Sequence, residues 1–149
     1  IKVITDLAHS QPSSGPSLGH PSPVVSDSDD NRFVVHHLRR LREAVPASIR
    51  VFVDIGESMT WPVNAWEVRE HDTFDIALGM GGMGSAVSGV VASLVAEPSR
   101  PAMVIAGDGC MMMHGWELHT AVQYKLAPLI YVVINNEGYG MVRWSEQQW

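Results

Sequence analysis

A single cysteine, Cys110, stands in the whole chain of 149 residues. That excludes an internal disulfide framework and fits a reducing compartment, so a cytoplasmic location is expected. Positive charge is also scarce, with ten Lys and Arg against sixteen Asp and Glu and a formal net charge of -6. A nucleic-acid partner needs a basic stripe to neutralise phosphates, and without one that class is excluded. The local cluster Arg39, Arg40, Arg42 reads as the solvated face of a helix. No apolar run approaches the roughly 18 residues of a membrane-crossing helix, which argues against a membrane partner. No signal-peptide pattern opens the chain, and its first residue is Ile1 rather than Met. We therefore expect a segment of a longer polypeptide, or its ordered part.

What remains is apolar. At 46% hydrophobic residues, the chain can bury the core of one α/β domain. Residues 1–7 (IKVITDL) resemble an isolated strand. Residues 8–31, with prolines at 12, 16, 21 and 23 among many serines, have the composition of a linker. The domain proper spans 32–149. Asp30 or Asn31 can cap a helix running to Ala44, with Val34, Leu38, Leu41 and Val45 on one face and Pro46 as its stop. Apolar runs at 50–55, 101–106 and 128–134, with a weaker one at 73–78, have the length of strands. Between them, helical spacing predicts helices over about 85–96 and 114–125. Strands without polar alternation, separated by helices, predict a doubly wound, mostly parallel sheet covered on both faces.

Two polar motifs sit where such a sheet binds ligands. The run 101–106 passes directly into Gly107-Asp108-Gly109. One crossover later, the run 128–134 passes into Asn135-Asn136. A right-handed βαβ unit brings both motifs to the same sheet edge. A carboxylate oxygen, an amide oxygen and a backbone carbonyl there are hard donors suited to Mg²⁺. Gly107 and Gly109 let the backbone come close to an anion, and the amides near Gly109 and Cys110 are expected just ahead of a helix. No Lys or Arg occurs in 107–124, so a bound diphosphate would need a metal to balance it. The P-loop pattern is absent, and GMGGMG at 79–84 departs from the dinucleotide fingerprint.

GDG at 107–109 followed by NN at 135–136, with 25 residues between them, resembles the thiamin-diphosphate motif. The resemblance extends to GGMG at 81–84 and DIGESMTW at 54–61, and covers about 24–149. ELHTAVQYKL at 117–126 and NNEGYGMV at 135–142 are most similar to acetohydroxyacid synthases and their 2-oxoacid decarboxylase relatives. The resemblance implies Asp108 and Asn136 as side-chain ligands of Mg²⁺, with Asn135 as the alternative, and Gly138 as a backbone ligand. It implies Gly81 as a carbonyl partner of the cofactor's pyrimidine. Met83 would be the bulky wedge that bends the cofactor, against the alternative of plain core packing. Ser58, Gly107, Gly109 and Cys110 would meet the diphosphate.

The chain also departs from the family. Glu57-Ser58 replaces a usual Gln-His, Cys110 a frequent serine and Ser88 a usual proline. A carboxylate beside a diphosphate is unfavourable, so Glu57 is expected to point away. His114 and His119 are expected at the surface or at helix ends rather than in proton transfer. The family's activating glutamate lies on another domain, and no motif for that domain is present. The domain itself is expected to be incomplete at its C-terminal end. The implied partner is a pyrimidine-binding domain of the same or another polypeptide, in a homo- or hetero-oligomer (dimer or tetramer). The implied activity is thiamin-diphosphate- and Mg²⁺-dependent decarboxylation of a 2-oxoacid, with or without carboligation. The alternatives are a transketolase or 2-oxoacid dehydrogenase component, and a non-catalytic thiamin-fold subunit.

Overall fold

The structure, a computed structural model, describes residues 29–69, 73–126 and 128–149. The expected strand at 1–7 and the linker as far as residue 28 lie outside the described residues. Helix α1 (Asp29–Ala44) begins slightly ahead of the expected cap, so Asp30 and Asn31 fall inside it. It ends as expected before Val45-Pro46, because a residue preceding proline is disfavoured in helical conformation. Strand β1 (Arg50–Val53) follows, then a 3₁₀ turn (Glu57–Met59), helix α2 (Thr60–Ala65) and strand β2 (Thr73–Ile76). Helix α3 (Ser85–Ala96) leads to strand β3 (Ala102–Gly107). Helices α4 (Asp108–His114) and α5 (Glu117–Gln123), strand β4 (Leu129–Ile134) and helix α6 (Gly140–Glu146) complete the chain.

All four strands are parallel, in the order β2-β1-β3-β4. The doubly wound α/β expectation is met. Ala102 to Ala106 of β3 are fully buried, and their side chains alternate between two cores. Met103 and Ile105 join Val51 and Val53 against Leu38, Leu41 and Trp66 from α1 and the end of α2. Ala102, Val104 and Ala106 face Val87, Val90 and Leu94 of α3 together with Ala121 of α5. Each fully buried Val, Leu or Ile contributes roughly 1.5–3 kcal/mol, so β3 is the spine of the domain.

From β1 the chain moves outward to β2, then returns across β1 to β3 and on to β4. Helix α2 packs on the first core, whereas α3 and α5 pack on the second. Right-handed crossovers require that change of face when the direction of winding reverses. The reversal opens a crevice beyond the carboxyl ends of β1 and β3, the place where open α/β sheets bind ligands.

Two sequence expectations need correction. The predicted single helix at 114–125 is two helices, and the first begins at Asp108, immediately after β3. The amides of Gly109 and Cys110 are thus in its first turn rather than ahead of it. Arg42 is not on a solvated face but buried. Its Nε donates to the Glu67 carbonyl at 2.8 Å, and its guanidinium lies 5.4 Å from the Trp66 ring centroid. A planar cation over an aromatic face tolerates burial when its N–H groups also find oxygen.

Candidate functional site

The crevice is a cleft of about 230 Å³. One wall starts at the end of β1, where Asp54 is fully buried. Its Oδ1 accepts from Ile55 N at 2.8 Å and Gly84 N at 2.7 Å, and its Oδ2 from Ala86 N at 3.0 Å and Val87 N at 3.1 Å. The opening amides of α3 otherwise lack intrahelical partners, and a carboxylate there also meets the positive end of the helix dipole. Asp54 therefore fixes the glycine-rich loop that carries Gly81 and Met83 to the end of β1, just ahead of the 3₁₀ turn that carries Ser58. Gly84 has φ +87°, and a Cβ there would run into the His114 ring, so only glycine serves there.

The floor is the start of α4. The β3–β4 register pairs Gly107 with Ile134, so Asp108 and Asn135 leave the sheet as neighbours. No side chain caps α4. A Cβ on Gly107 would stand 3.1 Å from Ser58 Oγ, and one on Gly109 would stand 2.6 Å from the Tyr139 ring and 3.2 Å from Met83 Cε. The Cys110 thiol is buried and donates to the Ile55 carbonyl at 3.0 Å. Burial, reinforced by the Asp54 carboxylate, pushes its pKa up to about 11. The sulfur is therefore an uncharged packing group, and what position 110 offers the cleft is its backbone.

The opposite wall is the turn after β4. Asn135 Oδ1 accepts from Glu137 N at 3.0 Å, closing a local turn in which Glu137 has a left-handed φ of 58°. That leaves Asn136, not Asn135, lining the cleft. Asn136 Nδ2 donates to Glu57 Oε2 at 2.7 Å, and Arg143 Nη2 donates to the Asn136 carbonyl at 3.1 Å. Glu57 thus points into the cleft, contrary to the expectation that a carboxylate would avoid it. The Asn136 amide gives it a donor that sequence spacing did not suggest.

All nine residues named for cofactor or metal from the sequence line this one cleft: Ser58, Gly81, Met83, Gly107, Asp108, Gly109, Cys110, Asn136 and Gly138. Met83 is half-buried, packing on the second core while also lining the cleft, so its two readings are compatible. His114 and His119 are exposed and belong to different helices. Sequence reasoning missed Asp54, Tyr139 and Arg143. Only Asp54 had a signal, an acidic residue ending an apolar strand. Among the described residues no three His, Cys, Asp or Glu side chains form a metal cluster. The cleft instead gathers the Asp108 and Glu57 carboxylates, the Asn136 amide and loop carbonyls around a glycine cradle. That hard-oxygen set fits Mg²⁺ carrying a diphosphate. No helix among the described residues is long and apolar enough to cross a membrane.

Comparison with known proteins agrees with this fold. The model of the thiamine pyrophosphate enzyme C-terminal TPP binding domain matches residues 54–149. A putative thiamine pyrophosphate-containing protein of Bacillus subtilis is 33% identical over 108 residues, covering 72% of this chain and 19% of that protein. The acetolactate synthase isozyme 2 large subunit of Escherichia coli is 34% identical over 110 residues, covering 74% and 20%. A sulfoacetaldehyde acetyltransferase of Alcaligenes xylosoxydans is 33% identical over 103 residues, covering 69% and 17%. The chain spans about a fifth of the length of these relatives.

Proposed function

This chain belongs to the thiamine pyrophosphate enzymes through their C-terminal TPP binding domain, and from that premise we propose that it holds thiamin diphosphate through Mg²⁺ for the decarboxylation of a 2-oxoacid, with acetolactate-synthase-like carboligation. The observation that carries the reading is the convergence of Asp108, Asn136 and Gly138 on one cleft from the ends of two strands, β3 and β4. Asp108, Asn136 and the Gly138 carbonyl hold the cation. The backbone around Gly107, Gly109 and Cys110, with Ser58, receives the diphosphate. Gly81 and Met83 would stand on the pyrimidine side, where the Met83 side chain would serve as the apolar wedge that holds the reacting groups close. When bound, thiamin diphosphate supplies the nucleophilic carbon and takes up the electrons released on loss of CO₂.

The activating glutamate comes from a pyrimidine-binding domain outside these residues, supplied by the same or another polypeptide in an oligomer. Glu57, the carboxylate besides Asp108 that lines the cleft, is engaged with Asn136. A second reading, acyl transfer to a different acceptor, is favoured by the acetyltransferase among the relatives. The test is to incubate the chain, together with the polypeptide that supplies the pyrimidine-binding domain, with thiamin diphosphate, Mg²⁺, pyruvate and an aldehyde, and to analyse products. CO₂ release that stops with EDTA and yields a carboligated hydroxyketone is expected. Absence of Mg²⁺-dependent cofactor binding would overturn the reading.

A further inference from the structure

We propose that Glu57 and Arg143 are positioning residues that clamp Asn136, and that this clamp sets the affinity of the cleft for its divalent cation. The inference rests on the reading of Asp108, Asn136 and Gly138 as the cation-binding set. A carboxylate oxygen accepts hydrogen bonds and has none to give, so the half of the Asn136 amide lying 2.7 Å from Glu57 Oε2 is its NH₂. The amide oxygen is then turned away from Glu57 and left for the cation. Without such a partner the amide could present either end, and a cation would have to select the productive one.

The second grip is on the main chain. Arg143 reaches back from α6 to the Asn136 carbonyl at 3.1 Å. That bond spans the turn containing Glu137, whose left-handed backbone costs energy in a non-glycine residue. Position 140 completes the device, because a side chain there would collide with the Glu57 carboxylate, and Gly140 provides the room. Arg143 also brings one positive charge close to a cleft that Glu57 and Asp108 both line. Asn136 is thus held at its NH₂ and its backbone carbonyl, with its amide oxygen unused by either contact.

Partners that orient a metal ligand typically contribute about 10–100-fold in metal affinity. The experiment titrates Mg²⁺ into the full chain at fixed thiamin diphosphate and follows tryptophan fluorescence. Glu57→Ala is expected to raise the half-saturating Mg²⁺ concentration by about 10–100-fold. Glu57→Gln keeps an acceptor oxygen for Asn136 Nδ2 and is expected to restore most of the affinity. Arg143→Ala, at an exposed position, is expected to fall between wild type and Glu57→Ala.

A Glu57→Ala titration superimposable on wild type overturns the clamp. So does a Glu57→Gln variant as weak as Glu57→Ala, which would make Glu57 itself a cation ligand. If Glu57→Ala shows no melting transition, Arg143→Ala carries the test, and wild-type Mg²⁺ affinity in it overturns the clamp. Wild-type protein that binds thiamin diphosphate equally well in EDTA overturns the functional reading, and the clamp with it.

Discussion

The two walls of the cleft are built around acidic residues three positions apart, and they are held in different ways. Asp54 is fully buried and bonded to four backbone N–H groups, which lock β1, the glycine-rich loop and α3 together. Glu57 is half-buried and bonded to one side-chain amide across the cleft. Residues 135–149 behind that amide are mostly exposed. Regions with few buried contacts open at lower free energy than a packed core. The Gly81–Met83 wall is therefore anchored in the core, while the Asn136 wall is an exposed turn secured by side chains.

The largest effect that could break this contrast is on folding itself. Asp54→Ala strips the acceptors from several buried N–H groups and is expected to lower the unfolding free energy by about 3–5 kcal/mol. Glu57→Ala should cost about 1 kcal/mol or less, the net value of one partly exposed hydrogen bond. Urea denaturation of both variants measures the difference, and equal losses would show that the walls are alike.

Asp108 separates binding from folding. It is half-exposed at the mouth of the sheet, so Asp108→Ala should keep a near-wild-type melting temperature yet lose Mg²⁺-dependent thiamin diphosphate binding. Calorimetric titration of the variant would sink the assignment by returning unchanged affinity. A smaller effect is expected at Met83, on the anchored wall. Met83→Ala leaves the diphosphate anchor intact, so kcat should fall by a larger factor than cofactor affinity. Collapsed affinity with normal turnover of the bound form would reduce Met83 to packing.

The contrast also explains what was legible in the sequence. β3, which is buried, and β4, which is half-buried, were readable because strands of a parallel sheet are uninterrupted apolar runs, and the motifs ending them inherited their placement from the βαβ rule. Site positions set by the backbone, such as Gly107 and Asp108, followed from that. Positions decided by long-range partners did not. Asp54 meets amides some thirty residues onward, and no spacing announces such a contact. Arg42 looked solvated because its Trp66 and Glu67 partners come from a later segment. Glu57 was expected to turn away because its charge was weighed without Asn136 Nδ2. The seven-residue helix α6 is too short for its periodicity to stand out.

The smallest expected effect tests how the exposed wall is tethered to the anchored one. β4 leads directly into the Asn136 turn, and Tyr131 on it donates from its hydroxyl to the Val87 carbonyl of α3 at 3.1 Å. Burial, with the Glu117 charge as a second cause, pushes the Tyr131 pKa from 10.0 up to about 12. The folded state thus holds this proton more tightly than the unfolded chain. The resulting stabilisation is fully present below pH 10 and is lost as pH rises through 12. Tyr131→Phe should cost about 0.5–1.5 kcal/mol at pH 8, the net value of one hydrogen bond. Its urea midpoint should also fall less than that of wild type between pH 9 and pH 11. Parallel declines in the two proteins would mean that the hydroxyl is not held by α3. β4 would then be secured to the anchored wall by the sheet and its apolar contacts, without this side-chain tether.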